Sequence, residues 1–462
     1  MQSRRNFLKS SLALPMMASS GSMLSALAGF NAQAADTSSY KALVCVFLFG
    51  GMDCHDTILP YDQSSYNDYA QIRASLLASY AEQPGGSTRS RSALLALDPS
   101  SASFGSRQFG LPPQLSGLHQ LFEQGNAAIV GNVGPLSEPT DSAGFGSNSA
   151  ELPARLFSHN DQQSTWMSFA PEGSSLGWGG RFGDAAAQSN ANAGAVFSQI
   201  ALAGNSVFLN GDLVSPYRIG VDGVPSIRLI ELAGDTLGPL LRDHFASAGS
   251  NRDNLFERDF INLSQVSLDA NDTLDRALQE GSLVSTPFPD SELGAQLRTV
   301  AQTIAVRETL GVSRQVFFVA LHGFDTHSAQ AISLPALQQD LGDSMAAFFT
   351  ATQELSIANR VTTFTAADFG RTLTVNGDGT DHGWGGHHFV VGGAVNGGDI
   401  YGDIPVSQLG HDQDAGNGRL IPQVSVEQFA APLGSWFGLT QSELDAALPG
   451  LANFPAGPLN FI

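Results

Sequence analysis

The sequence predicts an α/β fold built on a largely parallel sheet, and three observations point there. Lys41-Ala-Leu-Val-Cys-Val-Phe-Leu-Phe49 is an almost unbroken apolar run, the pattern of a strand buried on both faces. Shorter runs of the same kind recur at residues 127–130, 316–321 and 361–365. Helical periodicity fills intervals between them, over residues 115–124, 293–310 and 334–355, so strand and helix alternate. In such sheets ligands bind beyond the carboxyl ends of the strands, and polar residues there are site candidates by position alone.

The chain opens with Ser3-Arg4-Arg5-Asn6-Phe7-Leu8-Lys9, a paired arginine followed by a hydrophobic pair and a lysine. A weakly apolar stretch diluted by Ser and Gly follows and ends at Ala32-Gln33-Ala34, small residues that suit signal peptidase. The expectation is a twin-arginine signal over residues 1–34, read by the twin-arginine translocase. A single α/β domain over residues 35–462 would be left in the periplasm or secreted, with no stable membrane span after cleavage. Residues 185–290 are less regular, with short β-like runs at 199–202, 206–209 and 226–229, and suggest a cap inserted over the sheet.

The formal charge is −21, and the signal contributes three basic residues and no acidic ones, so the mature chain stands near −24. That surface repels nucleic acid and anionic lipid. The two cysteines, Cys45 and Cys54, sit nine positions apart across the first strand and its loop. An extended strand would hold them too far apart for a disulfide unless Gly50-Gly51 folds the chain back, so two free thiols are expected.

Seven of the ten histidines fall in four short segments that also carry Asp. These are Gly50-Gly-Met-Asp-Cys-His-Asp56, Leu156-Phe-Ser-His-Asn-Asp-Gln-Gln163, His322-Gly-Phe-Asp-Thr-His-Ser328 and Gly379-Thr-Asp-His-Gly-Trp-Gly-Gly-His-His388. A fifth, Ala366-Ala-Asp-Phe-Gly-Arg-Thr372, carries Asp alone. Three of the five follow a buried strand. Imidazole nitrogen and carboxylate oxygen together are what a divalent metal takes. Singly, an Asp after a buried strand more often caps the next helix.

These stretches, with Phe47-Leu-Phe-Gly-Gly-Met-Asp53 and Gly131-Asn-Val-Gly-Pro-Leu136, resemble the exported family called domain of unknown function 1501. That family is in turn similar to the alkaline phosphatase superfamily, which includes sulfatases. The resemblance implies an alkaline-phosphatase-like sheet flanked by helices, and one or two divalent ions, zinc or manganese, gripping the oxygens of a phosphate or sulfate ester. It implies Asp53 and Asp368 as ligands of one ion. Asp325 and His327 are implied for the second, with His387 or His382 downstream. Phe369 stands where superfamily phosphatases place a His, so the site could also hold no metal.

Ser158, before His159 and a short helical stretch, is either a nucleophile at a helix N-terminus or a plain N-cap. His159 joins it as a catalytic candidate. Arg371 either forks onto the anion or pairs with a structural carboxylate. No Cys-x-Pro-x-Arg or Ser-x-Pro-x-Arg sulfatase motif stands at this position. Two functions follow: a periplasmic metal-dependent hydrolase of anionic esters, or a non-catalytic relative that binds an envelope protein.

Changing Arg4 and Arg5 together to Lys is expected to leave the protein in the cytoplasm. Cell fractionation checks this, and unchanged export of the double variant would remove the signal assignment.

Overall fold

Alternation of side chains along the first strand, β1 (Lys41–Phe49), decides the layering. Ala42, Val44, Val46 and Leu48 point into one apolar cluster, and Leu43, Cys45 and Phe47 into another on the opposite face. A strand buried on both sides needs helices on both sides. The structure, a computed structural model, describes residues 39–462 except 84–87, 193, 195, 205, 222, 224–233, 248–253, 282–283, 456 and 458. The expected signal segment, its cleavage site and the β-like run at 226–229 lie outside the described residues.

In chain order the strands after β1 are β2 (Leu59–Pro60), β3 (Leu95–Ala96), β4 (Phe109–Leu111), β5 (Ala127–Gly134), β6 (Gln199–Ala201) and β7 (Tyr217–Arg218). Then come β8 (Arg314–His322), β9 (Val361–Ala367), β10 (Gly386–Gly392), β11 (Ile400–Gly402) and β12 (Val424–Ser425). The main sheet runs β11-β5-β10-β9-β1-β8-β6-β7, with β12 also on β5. It is largely parallel: β1 pairs in parallel with both β8 and β9, while β10 runs antiparallel to β5 and β9. Strands β2, β4 and β3 form a small antiparallel sheet.

The helices are α1 (Gln63–Ile72), α2 (Ala74–Glu82), α3 (Ser116–Glu123), α4 (Ser142–Ser147), α5 (His159–Ser168) and α6 (Trp178–Gln188). They continue as α7 (Gly234–Ser247), α8 (Leu255–Glu280), α9 (Glu292–Ala305), α10 (Gln330–Glu354), α11 (Val426–Phe437) and α12 (Gln441–Ala447). Leu118 and Leu121 of α3, Leu297 and Ile304 of α9, and Leu341 and Phe348 of α10 cover one face of the sheet. Trp166 of α5, Phe182 of α6 and Phe429 and Leu433 of α11 cover the other. Fully burying each of these large apolar side chains stabilises the fold by about 1.5–3 kcal/mol.

Three local expectations change. Within 206–209, Val207–Leu209 form a 3₁₀ turn, because the Ser206 hydroxyl accepts the Phe208 N–H and curls the chain. The irregular region does not begin as a separate cap. Residues 185–188 finish α6, and β6 extends the main sheet by pairing in parallel with β8. The helix expected over 293–310 ends at Ala305, where the chain turns through Val306 to Gly311 at φ +65°. Cys45 and Cys54 are both free and buried. No helix among the described residues is long and apolar enough to cross a membrane.

Glu427, in the first turn of α11, is only 5% exposed, and burial pushes its carboxyl up to about 7. A folded value above the unfolded one means stability present at acid pH and lost as pH rises from about 4.5 through 7. Glu427→Gln is therefore expected to match the parent near pH 4 and to exceed it by about 2–3 kcal/mol at pH 8 in urea melts.

Candidate functional site

Three adjacent parallel strands, β9, β1 and β8, end on the same edge, and each hands its loop an aspartate: Asp368, Asp53 and Asp325. The loops meet because Gly50 and Gly51 have φ of +113° and +85°, a region that disfavours other residues. Space matters as much as angle. A Cβ on Gly50 would lie 2.2 Å from the Asp325 backbone nitrogen, and one on Gly51 would lie 2.3 Å from the Phe369 ring.

Arg371 locks the assembly. Its fully buried guanidinium donates to the carbonyls of Gly50 (2.7 Å), Phe324 (3.2 Å) and Thr380 (2.7 Å), to the Thr380 hydroxyl (3.0 Å) and to Asp325 Oδ1 (3.1 Å). All three of its nitrogens are engaged by the chain. The sequence left open a clamp on a substrate anion or a bond to a structural carboxylate, and here the guanidinium bonds the Asp325 carboxylate. Burial raises the Asp325 carboxyl, but the charge and hydrogen bond of Arg371 outweigh it and hold the group below its ordinary range.

Around Asp325 stand three imidazoles. His159 Nε2 lies 3.5 Å from its Oδ2, while His327 Nε2 and His382 Nε2 lie 3.2 and 3.3 Å from its Oδ1. The Nε2 atoms of His327 and His382 are 2.8 Å apart. Ligand atoms of His159, Asp325 and His382 all fall within 4.8 Å of one another, a spacing that a single metal ion can bridge. The cluster is half-open: Asp325 keeps 45% of its side chain exposed, against 29% for His159 and 23% for His382.

Each ring is anchored from behind. His159 Nδ1 meets Asp368 Oδ2 at 2.5 Å, His382 Nδ1 meets the Phe157 carbonyl at 2.8 Å, and His327 Nδ1 meets Asp381 Oδ1 at 3.3 Å. The bond to Asp368 raises the His159 pKa, and burial lowers that of His382. Phe369 fits the same design. Its buried ring packs 4.9 Å from His159 and 4.6 Å from His382, as a platform between them.

Other expected residues lie elsewhere. Asp53 turns away from the cluster: Arg73, fully buried, donates to its Oδ2 at 2.6 Å and its Oδ1 at 3.0 Å, and Gln330 adds a bond at 2.6 Å. Asp368 meets His159 through Oδ2, which also accepts from Gln163 at 2.8 Å and the Gly50 N–H at 3.3 Å. His387 is buried on β10, where its Nδ1 accepts the Asn132 backbone N–H at 3.0 Å and burial takes its pKa down to about 3. It lines a small cavity with His55, apart from the cluster. Ser158 precedes α5 without a capping bond; its hydroxyl donates to Asp161 at 3.0 Å.

Sequence reasoning missed Asp381, Gln163, the Phe157 carbonyl and Arg73. The first three lie inside the quoted His-rich segments, so only their roles were hidden. Arg73 sits between α1 and α2 in a stretch with no motif. Arg73→Met leaves the Asp53 carboxylate buried without its counter-charge. The variant is expected to lose about 3–5 kcal/mol of stability, read as a lower urea midpoint.

Comparison with known proteins places these motifs. Among curated proteins none matches the chain. A crystal structure of Ps i-CgsB in complex with k-i-k-neocarrahexaose is similar at 8% identity and a TM-score of 0.29, covering 90% of this chain and 77% of that one. A mutant of the alkaline phosphatase PafA is similar at 12% identity and a TM-score of 0.26, covering 72% of this chain and 64% of that one. The family described as "Protein of unknown function (DUF1501)" matches residues 40–444, most of the length, and the chain belongs to it.

Proposed function

We propose that the chain is an exported metal-dependent hydrolase of phosphate or sulfate esters, working in the periplasm on an alkaline-phosphatase-like scaffold. The observation that carries the reading is the convergence of His159, His327 and His382 on the Asp325 carboxylate at the carboxyl edge of the sheet. These donors suit zinc or manganese. A divalent ion held there supplies a Lewis acid for an ester oxygen. The half-open face gives an ester access to the cluster, and the surrounding side chains keep the ligands in place.

Ser158 is the candidate nucleophile under this reading. It stands beside His159 at the start of α5, and its hydroxyl already donates to Asp161, a carboxylate further held by Arg155 at 3.1 Å. The net negative charge of the chain argues against polyanionic substrates and favours small monoesters.

One observation favours a second reading. Arg371 is engaged by the chain itself, and Phe369 stands where the superfamily resemblance implies a histidine, which leaves the pocket short of anion-binding cations. A non-catalytic relative that binds an envelope protein through the same edge fits that shortage.

Protein purified from the periplasm is expected to hydrolyse a nitrophenyl phosphate or sulfate with zinc or manganese and to stop with chelator. His382→Gln should lower kcat/KM by on the order of 1,000-fold, the worth of several kcal/mol of Lewis-acid stabilisation. Metal-loaded protein that turns over neither ester would give way to the binding reading.

A further inference from the structure

The hydrogen bonds behind the imidazoles decide which nitrogen is free. A backbone carbonyl only accepts, so the Phe157 contact puts the His382 proton on Nδ1 and leaves a lone pair on Nε2. Carboxylates impose the same order on His159 through Asp368 and on His327 through Asp381. The three Nε2 lone pairs then stand 3.2–3.5 Å from the Asp325 carboxylate oxygens, and those of His327 and His382 lie 2.8 Å apart. Acceptors crowded this way repel unless a cation stands among them.

The neighbouring aspartate is placed differently. Asp53 Oδ2 accepts from Arg73 and Gln330, and its Oδ1 from Arg73 and the His55 backbone N–H at 3.1 Å. Each oxygen has two donors, its lone pairs are used, and a full positive charge touches both. Asp368 differs again. Its Oδ2 is crowded with donors, whereas Oδ1 is buried with no hydrogen-bond partner among the described residues.

We propose that the cluster takes a single divalent ion, on Nε2 of His159, His327 and His382 with a carboxylate oxygen of Asp325, while Asp53, paired with the buried Arg73 guanidinium, takes none. Asp368 and Asp381 act through the rings they orient and touch no metal. The inference rests on the metal reading of the cluster above, but not on hydrolysis. It separates three aspartates at three strand ends or loops into one ligand, one ring-orienting group and one structural counter-ion.

The test is calorimetric titration of zinc alone into the mature chain after dialysis against chelator, with metal content measured on the loaded protein. The parent should bind one equivalent. Asp381→Asn, whose side chain is 43% exposed in the parent, should keep one equivalent and bind about 10–100-fold more weakly. Asp368→Asn should do the same, and His382→Gln should lose the site. Asp53→Asn should keep one equivalent at an affinity within about threefold of the parent. Two equivalents in the parent would overturn the proposal, and that measurement needs no variant to fold. Parent-like affinity in Asp381→Asn and Asp368→Asn would overturn the role of the outer carboxylates. A protein that binds one zinc yet hydrolyses no ester supports this inference and defeats the hydrolase reading.

Discussion

One buried guanidinium holds the site together. Arg371 reaches the loop after β1 through the Gly50 carbonyl, the loop after β8 through Phe324 and Asp325, and the segment leading to His382 through Thr380. Burying a cation is costly unless its donors are satisfied, and here every nitrogen has an acceptor. The consequence is positional. Asp325 and His382 come from segments almost sixty residues apart, and a single side chain sets their separation. The two glycines at the end of β1 are the geometric condition for this, since anything larger would push the first loop off the other two.

Much of the fold could be read because the physics behind it is local. A strand covered on both faces is largely apolar, and β1 and the Val316–Leu321 run of β8 announce themselves that way, with β9 mixing Val, Phe and Ala with three threonines. The polar residues just beyond them are found by the same logic, which is why Asp325, His327 and His382 stood among the candidates. What stayed hidden is long-range. Nothing near Asp53 reveals that an arginine twenty residues on pairs with both of its oxygens. His387 and His382 share one motif, but β10 and its irregular pairing with β5 carry His387 into the interior, where the Asn132 N–H takes it. Spacing names the residue types; only the register says which way each faces.

The rings are also held by apolar contacts. Phe369, which breaks the expected pattern of polar residues after β9, lies against both His159 and His382. A hydrophobic wall on one side of two imidazoles limits their rotation and keeps water from one face, while Asp368 and Phe157 fix their Nδ1 atoms. Departure from the motif is therefore compatible with a more rigid pair of imidazoles. The same residue explains why Gly51 carries no side chain: the ring already fills that volume.

Phe157 has a further consequence for how the site tolerates sequence change. Its backbone sits at φ +70°, and its carbonyl, not its side chain, receives the His382 proton. A side-chain replacement leaves that oxygen in place so long as the new residue accepts the left-handed conformation, where Asn and Gly are the easiest substitutes. The ring's own contact is with the Arg419 guanidinium, 5.2 Å away, and Arg419 in turn donates to the His382 carbonyl at 2.8 Å. In a saturation library, residue 157 would thus show an unusual profile: tolerance graded by backbone preference rather than by polarity.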